Sequence, residues 1–220
     1  MISSAAEESV ERLLAGVRKF RSEVYPQRQA AYRQLIRDGQ KPHALFITCS
    51  DSRVDPELLT QSGPGDIFVF RNIGNLVPAY GEMLGATSAV IEYAVLVLGI
   101  PHIVVCGHTD CGAMKGLLQR EQMPKLPIVD RWLFSAQAAL SVVEARDAPA
   151  SAKEALNPLI EENVILQMNH LRTHPSVAGR MAQGALLISG WVYDIAGGEV
   201  RIYHDGERRF FPADSLRSRL

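Results

Sequence analysis

Two stretches share one layout: Ala44-Leu45-Phe46-Ile47-Thr48-Cys49-Ser50-Asp51-Ser52-Arg53 and Ile103-Val104-Val105-Cys106-Gly107-His108-Thr109-Asp110-Cys111-Gly112. Each begins with a short apolar run and ends in a loop of cysteine, charge or histidine. Short, β-rich apolar runs predict strands buried on both faces, as in a parallel sheet. Ile67-Phe68-Val69-Phe70, introduced by the turn Gly63-Pro64-Gly65-Asp66, reads the same way. Around these strands the apolar spacing predicts helices over roughly 5–21, from Pro26 to about Arg37, 82–98, 127–145, 152–170 and after Pro175. Residues 186–193 and 200–203 read as strands joined at Gly197-Gly198, a hairpin signal. The alternation predicts an α/β fold: a central, mainly parallel sheet with an antiparallel edge, flanked by helices, with an N-terminal helical arm. A single domain over 1–220 follows, with the arm at 1–38 and the core at 39–220.

Composition narrows the function. The 220 residues are 47% hydrophobic and 21% charged, which excludes collagen-like, disordered and disulfide-scaffold classes. Twenty-three basic against 24 acidic side chains leave no electrostatic footprint for nucleic acid. The apolar runs are far shorter than the roughly 20 residues of a membrane span. Acidic residues stand near the N-terminus where an export signal would be basic and apolar, and the three cysteines read as thiols. These features predict a cytoplasmic protein.

The chemistry sits where two strands end. Ligands in open parallel sheets bind beyond the carboxyl ends of strands, at the topological switch. If the first and third strands are neighbours, Cys49, His108 and Cys111 converge from two loops. Two thiols and an imidazole suit Zn²⁺, and three protein ligands leave the fourth position open, as in catalytic sites. Cys106 continues an apolar run and reads as a buried small hydrophobe; the other histidines read as surface or turn residues. Asp51 has three possible fates: fourth zinc ligand, acceptor from a zinc-bound hydroxide, or loop cap. The fork of Arg53 nearby would hold it away from the metal. Asp110 reads as pointing outward.

At these residues the chain resembles the β-class carbonic anhydrases, in their bacterial and plant-type branch. Cys-Ser-Asp-Ser-Arg and Cys-Gly-His-x-x-Cys-Gly are that family's zinc motifs. Arg71-Asn72-Ile73-Gly74-Asn75, Ile91-Glu92-Tyr93-Ala94, Glu162-Asn163-Val164, Thr173-His174-Pro175-Ser176-Val177 and Gly190-Trp191-Val192-Tyr193-Asp194 match as well. The resemblance implies zinc on Cys49, His108 and Cys111, with Asp51 and Arg53 as catalytic dyad. It implies reversible hydration of CO₂ to bicarbonate and a proton by attack of a zinc-bound hydroxide that the dyad orients. It further implies a homodimer or homotetramer, with CO₂ held by Gln40, Phe68, Ile73 and Tyr93 and Gln40 reaching across the interface. Some relatives close at low pH through a pocket of tryptophan, arginine and tyrosine. Here the first position is Phe46, while Arg71 and Tyr193 match, so the open form with Asp51 paired to Arg53 is expected near neutral pH. Two thiolates cancel the charge of the ion, so activity is expected to rise through the alkaline side of neutrality. Competing readings are a carbon disulfide or carbonyl sulfide hydrolase on the same scaffold, and a binding module with structural zinc.

Overall fold

The computed structural model describes residues 3–82, 85–122 and 125–215. The chain divides into two compact units, the first ending at Gln40 and the second beginning at Lys41. In the first, helix α1 (Ser4–Lys19) is capped by the Ser3 hydroxyl, which accepts from the Ala6 N–H. A π turn, Phe20–Val24, leads without a break into α2 (Tyr25–Asp38). The two expected helices thus run on through Pro26, which sits in the first turn of α2, where its missing N–H costs no hydrogen bond. Val10, Leu13, Leu14, Val17 and Phe20 are exposed in this unit.

The second unit is built on six strands in the order β2-β1-β3-β4-β5-β6. β1 (Ala44–Cys49), β2 (Ile67–Asn72), β3 (His102–His108) and β4 (Leu187–Tyr193) are parallel. β5 (Val200–His204) and β6 (Arg209–Pro212) continue antiparallel. The chain leaves β1 toward β2 and then crosses back to β3 on the other side. The switch point therefore lies between the carboxyl ends of β1 and β3, where both marked loops begin. The antiparallel edge is two strands wide; β6 was not expected from the sequence.

Helices complete the unit: α3 (Pro56–Thr60), α4 (Ala86–Glu92), α5 (Gly112–Leu118), α6 (Pro127–Leu133), α7 (Gln137–Asp147), α8 (Ala152–Thr173) and α9 (Pro175–Ala182). The helix expected over 82–98 is α4 followed by a π turn at Tyr93–Val97; positions 83 and 84 lie outside the described residues. The one expected over 127–145 is divided into α6 and α7 by a 3₁₀ turn at Phe134–Ala136.

α8 lies unusually close to the sheet. A Cβ on Gly107 would stand 2.9 Å from Val164 Cγ2, and one on Gly190 would stand 2.7 Å from Val164 Cγ1. Only hydrogen at these two positions lets the helix seat on β3 and β4. The main core, including Leu45, Ile47, Ile103, Val105, Leu159, Ile160 and Val164, forms there. A smaller cluster of Phe46, Val104 and Cys106, with Trp191 and Tyr193 against it, forms separately.

Candidate metal centre

Cys49 ends β1, His108 ends β3, and Cys111 precedes α5. Because β1 and β3 are hydrogen-bonded neighbours, with Thr48 opposite Cys106, the three residues meet. One donor atom from each lies within 4.8 Å of the others, and all three residues are buried.

The loops are built to aim these donors. The His108 Nδ1–H donates to the Thr109 carbonyl at 2.9 Å, which fixes the tautomer and leaves Nε2 as the free lone pair. That Nε2 is buried with no hydrogen-bond partner. An orphaned acceptor of this kind is costly unless something binds it. On the other side, the Gly74 N–H donates to Cys49 Sγ at 3.4 Å. Gly74 has φ 80°, a left-handed conformation glycine adopts freely, and a Cβ there would stand 3.0 Å from that of Ala113. The glycine is held by α8: Asn163 Nδ2 donates to its carbonyl at 3.1 Å, and Gln167 Nε2 donates to Asn163 Oδ1 at 2.9 Å. The Val77 N–H in turn donates to Gln167 Oε1 at 2.8 Å.

The sulfurs are unequal. Hydrogen bonds from Cys111 and from the Gly74 N–H pull the Cys49 thiol below its ordinary value against the opposing effect of burial. The Cys49 sulfur and burial push the Cys111 thiol up. One sulfur ionises readily and the other is then held protonated, a conflict that a divalent cation between them removes. The orphaned nitrogen and the paired sulfurs thus fit zinc. Cys106, by contrast, is fully buried away from charge and its thiol is pushed up to about 12, in keeping with a small core residue.

Asp51 faces Arg53. Arg53 Nε donates to Asp51 Oδ1 at 2.9 Å and Nη2 to Oδ2 at 2.7 Å, a two-pronged pair. The Arg53 backbone N–H adds a third bond to Oδ1. The guanidinium holds the Asp51 carboxyl well below the usual carboxylate range. Asp51 Oδ2 lies 3.9 Å from His108 Nε2, so the carboxylate borders the donor cluster.

Asp110 is exposed, as the sequence reading has it. Its side chain is half exposed, yet Oδ2 accepts from Arg53 Nη1 at 2.9 Å and Oδ1 pairs with Lys115. Its partner lies 57 residues away, beyond the reach of local spacing. Arg71, which the resemblance matches to the arginine of a pocket in some relatives, donates from Nε to the Cys49 carbonyl at 3.1 Å and from Nη2 to the Asp51 carbonyl at 2.6 Å. Phe46 is buried edge-on against Trp191, ring centroids 5.7 Å apart, and Tyr193 lies beside the same cluster. His174, read as a surface or turn residue, is buried and donates to the Pro78 carbonyl.

The Phe68 and Tyr93 rings approach to 6.1 Å. Ile73 and Tyr93 are each 45% exposed, and the Ile73 carbonyl accepts from Trp132 Nε1 at 2.8 Å. Gln40 is exposed at the end of the N-terminal unit. Asn163, Gln167 and Gly74 were not picked out as site residues. Asn163 and Gly74 stand in motifs that carry the resemblance, but their role depends on contacts across 89 residues.

Comparison with known proteins bears on the same residues. Positions 44–200 match the family model described as carbonic anhydrase. A curated carbonic anhydrase of Pseudomonas aeruginosa is 48% identical over 198 residues, spanning 90% of this chain and 89% of its own. The solved structure of the β-carbonic anhydrase CcaA matches with a TM-score of 0.92 at 40% identity, covering 97% of this chain and 94% of that one. A chain from the crystal structures of two tetrameric β-carbonic anhydrases of the filamentous ascomycete Sordaria macrospora matches with a TM-score of 0.79 at 31% identity, covering 89% and 96%. With sequence, sheet order and the Cys-His-Cys cluster in agreement, the chain belongs to the β-class carbonic anhydrases, a family of enzymes.

Proposed function

We propose that this protein catalyses the reversible hydration of CO₂ to bicarbonate and a proton, with Zn²⁺ held by Cys49, His108 and Cys111. The observation that carries this reading is the buried donor set within 4.8 Å, one of whose members, His108 Nε2, has no other partner. When bound, the metal supplies Lewis-acid activation of water, making a nucleophile available near neutral pH. The protein residues do the rest. Asp51, kept ionised by Arg53, accepts a hydrogen bond from the attacking oxygen and so aims its lone pair at carbon. Arg71 fixes the carbonyls on either side of Ser50 and with them the loop that carries Cys49 and Asp51. CO₂ is uncharged, so an apolar slot from Phe68, Ile73 and Tyr93 can receive it.

In this reading the slot is completed by a second copy of the chain, in a homodimer or homotetramer, with Gln40 of the partner subunit donating to a substrate oxygen. The half-exposed Ile73 and Tyr93 support a contact there, as does the tetrameric state described for the Sordaria macrospora enzymes. The helical arm and the core serve one catalytic domain. Among the described residues no helix is long and apolar enough to cross a membrane, and the three cysteines are free thiols, which suits a reducing, cytoplasmic setting.

Stopped-flow CO₂ hydration and metal analysis on one reduced preparation test the proposal. About one zinc per chain is expected. Arg53→Ala is expected to keep that zinc and lose roughly a hundredfold in turnover, the scale of a lost positioning donor. Zinc-loaded protein that hydrates no CO₂ above the buffer rate, or Arg53→Ala at the wild-type rate, overturns it.

A further inference from the structure

Asp110 is held in place from both directions. On its N-terminal side Thr109 is pinned: its N–H donates to the Tyr193 carbonyl at 2.9 Å, its hydroxyl donates to Asp194 Oδ1 at 3.0 Å, and the Ile195 N–H donates to that hydroxyl at 3.0 Å. On its C-terminal side Lys115, in the last turn of the short helix α5, pairs with Asp110 Oδ1. Asp110 itself has φ 62°, a left-handed conformation that Asp and Asn tolerate better than other residues with a Cβ. These constraints leave Oδ2 facing Arg53, where it accepts from Nη1 at 2.9 Å, and the Asp110 carbonyl lies 3.4 Å from Nη2.

The consequence falls on Arg53. Its side chain is 46% exposed, so packing alone does not order it. Nε and Nη2 grip Asp51 along one edge of the guanidinium, and Nη1 is left for Asp110. A guanidinium tied along a single edge can rock about that edge; one tied at both ends cannot. We infer that Asp110 is a positioning residue for the reaction: by anchoring the outer nitrogen of Arg53 it fixes the plane against which Asp51 is aligned. The inference rests on Asp51 and Arg53 being the reactive pair proposed above. The bland alternative is that Asp110 only places a negative charge near the start of α5.

Two variants separate the readings. Asp110→Asn keeps size and tolerance of the backbone conformation but removes the charge, and Asp110→Gly removes the side chain while relaxing the backbone. Zinc-loaded wild type and variants are compared for metal per chain, kcat and KM for CO₂ hydration, and water exchange of the Arg53 Nε–H signal in ¹⁵N-labelled protein. Both variants are expected to retain zinc, to lose about fivefold in kcat, the upper worth of a half-exposed ion pair, with KM little changed. Their Arg53 Nε–H is expected to exchange faster than in the wild type. Wild-type kcat and wild-type exchange in both variants overturn the inference. So does a loss of kcat with unchanged exchange, which assigns Asp110 to the end of the helix. If the wild type hydrates no CO₂, the functional reading fails, and the exchange comparison on the same samples still decides whether Asp110 anchors Arg53.

Discussion

Gly107→Ala is the most direct probe of how the sheet carries the donor cluster. Gly107 lies outside the left-handed region, so alanine costs nothing in backbone conformation there, and the effect is one of space. The new methyl would stand 2.9 Å from Val164 Cγ2 and 3.3 Å from Ile160 Cγ2, both on fully buried residues of α8. Ordinary contact begins near 3.4 Å, so something must retreat by about half an ångström. Valine in a helix has essentially one side-chain rotamer, so its methyl cannot swing aside. β3 is hydrogen-bonded on both edges, to β1 and to β4, and does not yield easily. Overpacking of this kind costs about 1–3 kcal/mol. Taking about 2 kcal/mol, a domain of this length should lose roughly 4–8 °C in Tm. Urea unfolding at fixed zinc concentration measures it. Val164→Ala alone should also destabilise, by about 2 kcal/mol. The double variant should be less damaged than the sum by at least about 1 kcal/mol, because the added methyl occupies space the valine vacated. A Gly107→Ala protein within about 0.5 kcal/mol of wild type, or strict additivity in the cycle, would refute the close seating of α8.

Asn163→Leu should leave the Gly74 carbonyl buried without a partner, costing about 2 kcal/mol; it should also speed zinc loss to a chelator about tenfold by loosening the N–H that supports Cys49. Asp51 has a folded pKa below its unfolded one, so the stability from its pair with Arg53 is complete above about pH 5 and is lost as pH falls below 4. The urea-stability gap between wild type and Arg53→Met should therefore be larger at pH 6 than at pH 3, and a gap that widens on acidification would contradict the pairing. In metal-free folded protein at pH 8, peptide mapping after iodoacetamide should find Cys106 unmodified when Cys49 has reacted, since burial pushes its thiol to about 12.

What could be read in advance follows from the range of the forces involved. β1 and β3 announce themselves because a strand buried on both faces is apolar through most of its length, and that shows in a short consecutive run; β4 and β5 are only partly buried and show instead through the Gly197-Gly198 signal between them. α3 has a capping Asp55 and Pro56 in its first turn but lasts only five residues, too short for a repeating apolar stripe. α5 follows Cys111, whose side chain caps nothing, and carries Gly112 and Gly116, both poor helix formers; packing of Ala113, Met114 and Leu117 decides it. β6, Arg209–Pro212, is an edge strand whose sole ladder is with β5, and its proline disguises it. The three donor residues were legible because type and strand-end placement coincide. Their convergence depended on β1 and β3 being adjacent, which the sheet order supplies. The bridge from Asp110 to Arg53, and the amide relay from Asn163 to Gly74, are meetings of distant segments, and no local pattern encodes them.

The donors sit on two separately formed strand ends, with about 60 residues of chain, including all of β2 and α4, between the first and the second. An ion gripping all three therefore closes a long loop in the way a cross-link does, and it can do so only after both crossovers have threaded correctly. A chain in which β3 did not pair with β1 would present no trio to the ion. A metal ion held there would thereby favour the correctly wound topology over forms in which the three donors do not meet.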